Sequence, residues 1–331
     1  MSVAWRAAIR HTLISGAILI AFPTIVAANA YKAPPPTASP VASSDAMRIV
    51  ADTIGCAAKP IGQTTVATLS NAPIVTLFAN GHPVTLILDT GADRSVLTPA
   101  AAERIGAQPP RVEFGRRMRG AAGTLPTREV ELRSLTVGNV AIPWRRVVVA
   151  PVTMATIFST PFDGLLGADM LGSFDIDLDL PHHRMVLYEK QSCPGAPPWT
   201  GPHTEISTGR SRGEHLFFPV RLDGHEIMAF VDTGAQRTML STTAAFALGM
   251  TEAALARDRP ITIRDATAER LSSHVHRFSE LTVGAEVIHH PDVVVTNVTL
   301  GDADIVLGVD FLMSRRIWLS YGSLRIFLSN G

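Results

Sequence analysis

The chain contains one five-residue frame twice, and few folds can use such a repeat. The first copy is Leu88-Asp89-Thr90-Gly91-Ala92, led in by Val84-Thr85-Leu86-Ile87. The second is Val231-Asp232-Thr233-Gly234-Ala235, led in by Ile227-Met228-Ala229-Phe230 and lying 143 positions later. Each reads as a buried apolar strand that ends on an acid and then turns tightly at Thr and Gly. The likeness extends beyond the frame. A shift of 143 lays Asn80-Gly81-His82 on Asp223-Gly224-His225, and Ile105-Gly106 on Leu248-Gly249. A shift of 146 lays Leu135-Thr136-Val137-Gly138 on Leu281-Thr282-Val283-Gly284. A shift of 141 lays Asp163 to Asp169 on Asp304 to Asp310 and holds to the end of the chain. The fall from 146 to 141 places five extra residues in the first copy, between Thr153 and Asp163. Two copies are too few for a solenoid, which leaves a duplicated domain.

Both copies show the same elements. A strand, a Gly turn and a second strand deliver the acid. A short Ala-rich helix follows, Pro99 to Ile105 or Thr242 to Leu248, and then a hairpin, whose turn in the first copy is Gly120-Ala121-Ala122-Gly123. Strands follow around Val147-Val148-Val149 and Val293-Val294-Val295. A helical turn starts near Asp169 or Asp310, and a last strand spans Arg184 to Tyr188 or Leu324 to Leu328. Period-2 runs punctuated by 25 Gly and 23 Pro predict an all-β fold with short helices.

The boundaries follow from composition. Residues 1–30 read as an export signal, with Arg6 and Arg10, an apolar run from Thr12 to Ala28, and small residues at Ala28-Asn29-Ala30. The alternative is a retained N-terminal membrane anchor. Residues 31–70, rich in Pro, Ala and Ser at their start, read as a tether or propeptide. The copies take 71–190 and 214–331, and the Pro- and Gly-rich stretch 191–213 reads as a linker. The predicted location is therefore periplasmic or secreted, with no stable membrane insertion after cleavage. With 29 basic and 29 acidic residues the formal charge is zero, which excludes a nucleic-acid binder that depends on a basic surface. The cluster Arg116, Arg117 and Arg119 is too small to reverse that and reads as a solvated loop.

Two acids on equivalent frames suit one particular chemistry. Water attacks an amide carbonyl poorly. A carboxylate can take a proton from that water while a second, protonated carboxyl donates to the carbonyl oxygen. Carboxylates about 3 Å apart resist double ionisation and hold one proton between them. Asp89 and Asp232 meet the requirement. Thr90 and Thr233 can hydrogen-bond backbone across a symmetric junction, and Gly91 and Gly234 allow close approach and offer N–H donors. Other chemistries lack support. His182-His183 and His289-His290 have no metal-ligand spacing, and His225-Glu226 lacks the second His of a zinc helix, so no metal is expected. There is no serine-nucleophile elbow, phosphate loop or dinucleotide fingerprint, and no cofactor is expected.

Asp89-Thr90-Gly91-Ala92 and Asp232-Thr233-Gly234-Ala235, with the later Leu165-Leu166-Gly167 and Val306-Leu307-Gly308, resemble the retropepsin and pepsin family of aspartic peptidases. The resemblance covers both copies. It implies two retropepsin-like acid-protease β-barrel lobes in one chain, a cleft between them, and flaps over an extended peptide. It also implies that the apolar-Gly motif packs beneath the acid turn. Two differences matter. Ala92 and Ala235 stand where two-lobed pepsins place Ser or Thr, as in retropepsins. Loss of those hydroxyl donors predicts a higher dyad pKa and activity at mildly acidic pH. The three tyrosines are Tyr31, Tyr188 and Tyr321, so neither flap carries the pepsin-type Tyr. The second flap, near Asp265-Ala266-Thr267-Ala268, also lacks Gly. Cys56 and Cys193 flank the first copy. Family lobes bring their ends together, so a bridge in an oxidising compartment is expected, with two free thiols as the alternative.

The predicted activity is that of an aspartic endopeptidase acting on a peptide or protein substrate through Asp89 and Asp232. The molecule would be a monomer whose two copies pair within one chain. A homodimer in which each copy pairs with its twin is the symmetric alternative. A non-enzymatic alternative is an envelope peptide-binding module on the same scaffold.

Overall fold

The computed structural model describes residues 58–111, 116–119, 124–152, 162–191, 196–210, 214–264 and 270–329. The signal 1–30, Cys56, Cys193, the turn Gly120–Gly123, the five-residue excess after Thr153 and the second flap tip at 265–268 lie outside the described residues.

The first lobe runs β1 (Pro60–Leu69), β2 (Ala72–Ala79), β3 (His82–Leu88), β4 (Val96–Leu97), α1 (Pro99–Arg104), β5 (Arg116–Arg119), β6 (Thr124–Glu131), β7 (Leu135–Val137) and β8 (Val140–Ala141). It continues with β9 (Arg146–Val149), β10 (Gly164–Leu166), α2 (Ala168–Leu171), β11 (Asp175–Asp179) and β12 (Arg184–Tyr188). The second lobe repeats this from β13 (His203–Ser207), β14 (Gly209–Arg210), β15 (Leu216–Leu222) and β16 (His225–Val231) to β17 (Met239–Ser241), α3 (Thr242–Ala247) and α4 (Glu252–Leu255). Its remaining elements are β18 (Arg259–Arg264), β19 (Arg270–Arg277), β20 (Glu280–Val283), β21 (Glu286–His289), β22 (Asp292–Thr296), β23 (Ile305–Leu307), α5 (Val309–Leu312), β24 (Arg316–Ser320) and β25 (Arg325–Ser329).

Local chemistry explains the helices. The Thr98 hydroxyl accepts from Ala101 N–H at 3.2 Å and Pro99 occupies the first turn, so α1 starts there. Ser241 caps α3 through Ala244 N–H at 3.1 Å. Among the described residues no helix is long and apolar enough to cross a membrane.

Six strands join the lobes in the order β13-β25-β24-β11-β12-β1, three from each copy. The seam is antiparallel, with Ile176 opposite Leu319 and Asp177 opposite Trp318. Across it Arg316 grips Asp177 with two hydrogen bonds, Nε at 2.8 Å and Nη2 at 2.5 Å. Tyr188 meets Trp318 edge-on at 4.8 Å. One continuous apolar core runs through both lobes and includes Leu77, Phe218, Ile176 and Ile317.

Composition placed two stretches wrongly. Residues 60–69, assigned to a tether, form β1, whose first half pairs with β12 and second half with β2. Residues 203–207, assigned to the linker, form β13 on β25. β13 ends its sheet and β1 bridges β12 and β2; both are held by backbone ladders and carry exposed polar side chains, so no apolar run marks them. The repeated unit therefore begins at Pro60 and His203.

Candidate active site

Strand pairing places the two acids. β3 runs parallel to β10, with Leu88 beside Leu166, and Asp89 N–H donates to Leu166 O at 3.0 Å. β16 runs parallel to β23, with Val231 beside Leu307, and Asp232 N–H donates to Leu307 O at 3.0 Å. The chain after each acid is tied down in turn, since Ala168 N–H donates to Ala92 O and Val309 N–H to Ala235 O, both at 2.8 Å. Gly167 and Gly308 permit that approach; a Cβ on them would lie 2.6 Å from Arg94 C and 2.3 Å from Arg237 C.

Residues that the sequence reading missed support each turn. Ser95 Oγ donates to Asp169 Oδ1 at 2.7 Å and accepts from Gly167 N–H at 2.9 Å. Thr238 repeats this with Asp310 Oδ1 at 2.8 Å and Gly308 N–H at 3.2 Å. A signal existed: the four residues recur under the same two shifts as the acids and their Gly motifs.

The two turns interlock through their threonines. Thr90 Oγ1 donates to Val231 O at 2.7 Å and accepts from Thr233 N–H at 3.0 Å. Thr233 Oγ1 donates to Leu88 O at 2.7 Å and accepts from Thr90 N–H at 3.0 Å. The hydroxyl oxygens are 3.4 Å apart, but each proton is already committed to a carbonyl. Both threonines are buried.

This clasp brings the predicted acids together. A Cβ on Gly91 would lie 2.3 Å from Asp232 Cγ, and one on Gly234 would lie 2.5 Å from Asp89 Cγ. Each carboxyl thus lies over the glycine of the other lobe. Gly91 N–H donates to Asp89 Oδ1 at 3.1 Å; Gly234 and Ala235 N–H donate to Asp232 Oδ1 at 2.8 and 3.1 Å. Burial and then the charge of Asp232 push Asp89 well above the usual carboxylate range, against the pull of the Gly91 and Ala92 N–H groups. Burial raises Asp232 too, opposed by the N–H groups of Gly234 and Ala235, by His215 and by Asp89. One proton shared by two acids produces such a pattern.

Apolar side chains flank the two turns unequally. Beside the first are Ala72, Ile74 and Ile87 with Val96 and Leu165. Beside the second are Phe217 and Phe230 with Ala235 and Val306. His215, which the sequence reading passed over, stacks on Phe230 at 5.1 Å and 9°, and its Nε2 lies 3.3 Å from Asp93 Oδ1 of the first lobe. Under the shift of 143 its counterpart is Ala72. The hairpins β5–β6 and β18–β19 match the predicted flap stems. Of the histidine pairs, His182 binds Asp179 at 2.7 Å and His289 lies 3.9 Å from Glu280.

Two β lobes that clasp an Asp-Thr-Gly turn from each side define a protein of the aspartyl-protease class. Residues 75–170 match the family model described as "Aspartyl protease", and residues 218–314 match the one described as "gag-polyprotein putative aspartyl protease". The chain belongs to the retropepsin-like aspartyl proteases, as a protein with two such domains. Membership points to a protease-type, hydrolytic function. No curated protein matches the chain.

Proposed function

We propose that this chain is an exported aspartic endopeptidase that cleaves extended peptides with one water held between Asp89 and Asp232. The observation that carries the proposal is the meeting of the two carboxyls, each lying over the other lobe's glycine. The ionised carboxyl takes a proton from water as the water oxygen bonds to the scissile carbonyl carbon. The protonated carboxyl gives its proton to the carbonyl oxygen, which yields a neutral tetrahedral diol. Return of a proton to the amide nitrogen breaks the C–N bond and leaves a carboxylic acid and an amine. The acids exchange roles in the two halves, so the dyad ends with the one proton it began with. No cofactor enters. Both halves of the site lie on one chain, which supports a monomer.

Purified protein, processed after its signal, should cleave denatured casein with a rate maximum at mildly acidic pH, since burial raises both acids. Asp89→Asn and Asp232→Asn should each lower cleavage at least about a thousandfold, the scale of losing a general acid or base together with its partner. Substantial activity in either variant sinks the dyad, and a maximum below about pH 3 contradicts the raised pair. Peptide binding without turnover in the wild type identifies a binding module instead. N-terminal sequencing of the exported protein tests cleavage after Ala30.

A further inference from the structure

The two lobes repeat each other closely around the acids, yet the His215–Asp93 crossing beside the dyad has no twin. His215 lies just before β15, and its ring lies against Phe230, two residues ahead of Asp232 on β16. Phe217 tilts against the other part of the ring at 6.0 Å. The side chain is 11% exposed, and Nε2 reaches across the lobe boundary to within 3.3 Å of Asp93 Oδ1. Asp93 lies two residues past Gly91, over which the Asp232 carboxyl lies. Nε2 is buried and has no hydrogen-bond partner, so proximity and not a directed bond relates it to Asp93. At the corresponding place in the first lobe Ala72 presents a methyl group, and the reverse crossing is made by an uncharged amide, Gln236 Nε2 donating to Ser70 O at 3.1 Å.

We infer that His215 is a positioning residue for the dyad proton: its imidazolium makes Asp232 the ionised base that activates water and leaves the proton on Asp89. The inference rests on the dyad proposed above. A cation favours the charged form of a neighbouring carboxylate, and the stack on Phe230 sets this imidazole on the second lobe's side only. The groups that face His215 are Asp93 from the first lobe's turn, Asp232 from β16 and, through Asp232, Asp89. Phe217 and Phe230 contribute no charge. The neighbouring Glu214 is engaged by Arg210 at 3.1 Å, and Arg94, next to Asp93, by Asp169 at 3.2 Å. His215 also lowers Asp232 against the burial that raises it.

The test compares wild type with His215→Phe, which keeps the stacking and removes the charge, and His215→Lys, which keeps a charge. With a fluorogenic peptide, the acid limb of the kcat/KM profile should move up by about one unit in His215→Phe, so activity on that limb falls about tenfold. In His215→Lys the limb should stay near its wild-type position. A merely structural role would lower the rate by one factor at every pH, and that result overturns the inference. Carboxyl 13C NMR provides a readout that does not require turnover. In the wild type Asp232 should ionise before Asp89, and in His215→Phe the interval between them should shrink. Simultaneous ionisation in the wild type, or an interval unchanged in His215→Phe, refutes the assignment. Ordered ionisation without cleavage at any pH leaves the assignment standing and refutes the hydrolytic proposal.

Discussion

The threonine clasp makes the strongest quantitative prediction. Thr90→Val keeps the shape of the side chain and removes its hydroxyl. Two groups then lose their only partner in the clasp: Thr233 N–H, now 3.0 Å from the hydroxyl, and Val231 C=O, now 2.7 Å from it. Both belong to buried residues, so water cannot replace the lost bonds without opening the seam. An unsatisfied buried donor or acceptor costs about 1–3 kcal/mol, which gives about 2–6 kcal/mol for the pair. Against a usual total of about 5–15 kcal/mol, that is a large share. Urea denaturation followed by tryptophan fluorescence should show a lower midpoint with an unchanged slope. At about 2–4 °C per kcal/mol, the thermal midpoint should fall by about 4–24 °C. Thr90→Ser retains both bonds and should stay within about 1 kcal/mol of wild type. Pseudo-symmetry predicts the same loss for Thr233→Val, where Thr90 N–H and Leu88 C=O are abandoned. A Thr90→Val midpoint within about 0.5 kcal/mol of wild type, the usual effect of a surface change, would refute the clasp as a holder of the lobes.

Other consequences are as direct. Gly234→Ala sets a methyl 2.5 Å from Asp89 Cγ, so cleavage should fall by at least about a hundredfold, the scale of a 1 Å misplacement, with the strand content seen by circular dichroism retained. Arg316→Met leaves the fully buried Asp177 carboxylate unpaired and should destabilise the protein by about 3–5 kcal/mol in denaturant titrations. Asp89 is raised above its unfolded 3.8, so its ionisation weakens the fold; that loss is absent below the unfolded value and grows as pH rises through the folded one. Asp89→Asn removes it and should raise the thermal midpoint more at pH 7 than at pH 4; equal gains at both would contradict the raised acid.

The elements legible in the sequence were those with an apolar or capping signature. β3 and β16 are mostly apolar runs that lead into an acid, and α1 and α3 begin after Thr98 and Ser241 as caps should. β1 and β13 were not legible, because Gln63, Thr64, Thr65 and Glu205 lie on strands whose binding is carried by backbone. The acids themselves stood out through repetition. Ser95, Asp169, Thr238 and Asp310 repeat equally well, but a hydroxyl and an acid some 70 positions apart carry no meaning until the chain crosses itself. His215 was invisible for the opposite reason, since it breaks the repeat and only its stacking on Phe230 shows where it lies.

The unequal flanks of the two acid turns have a further meaning. An exact two-fold site presents identical surroundings to both ends of a ligand, and so cannot distinguish a polypeptide from the same polypeptide laid in reverse. Fusion of the halves into one chain lets a substitution alter a single side. With Ile74 and Ile87 near one acid and Phe217 and Phe230 near the other, the two sides of this pair are no longer equivalent.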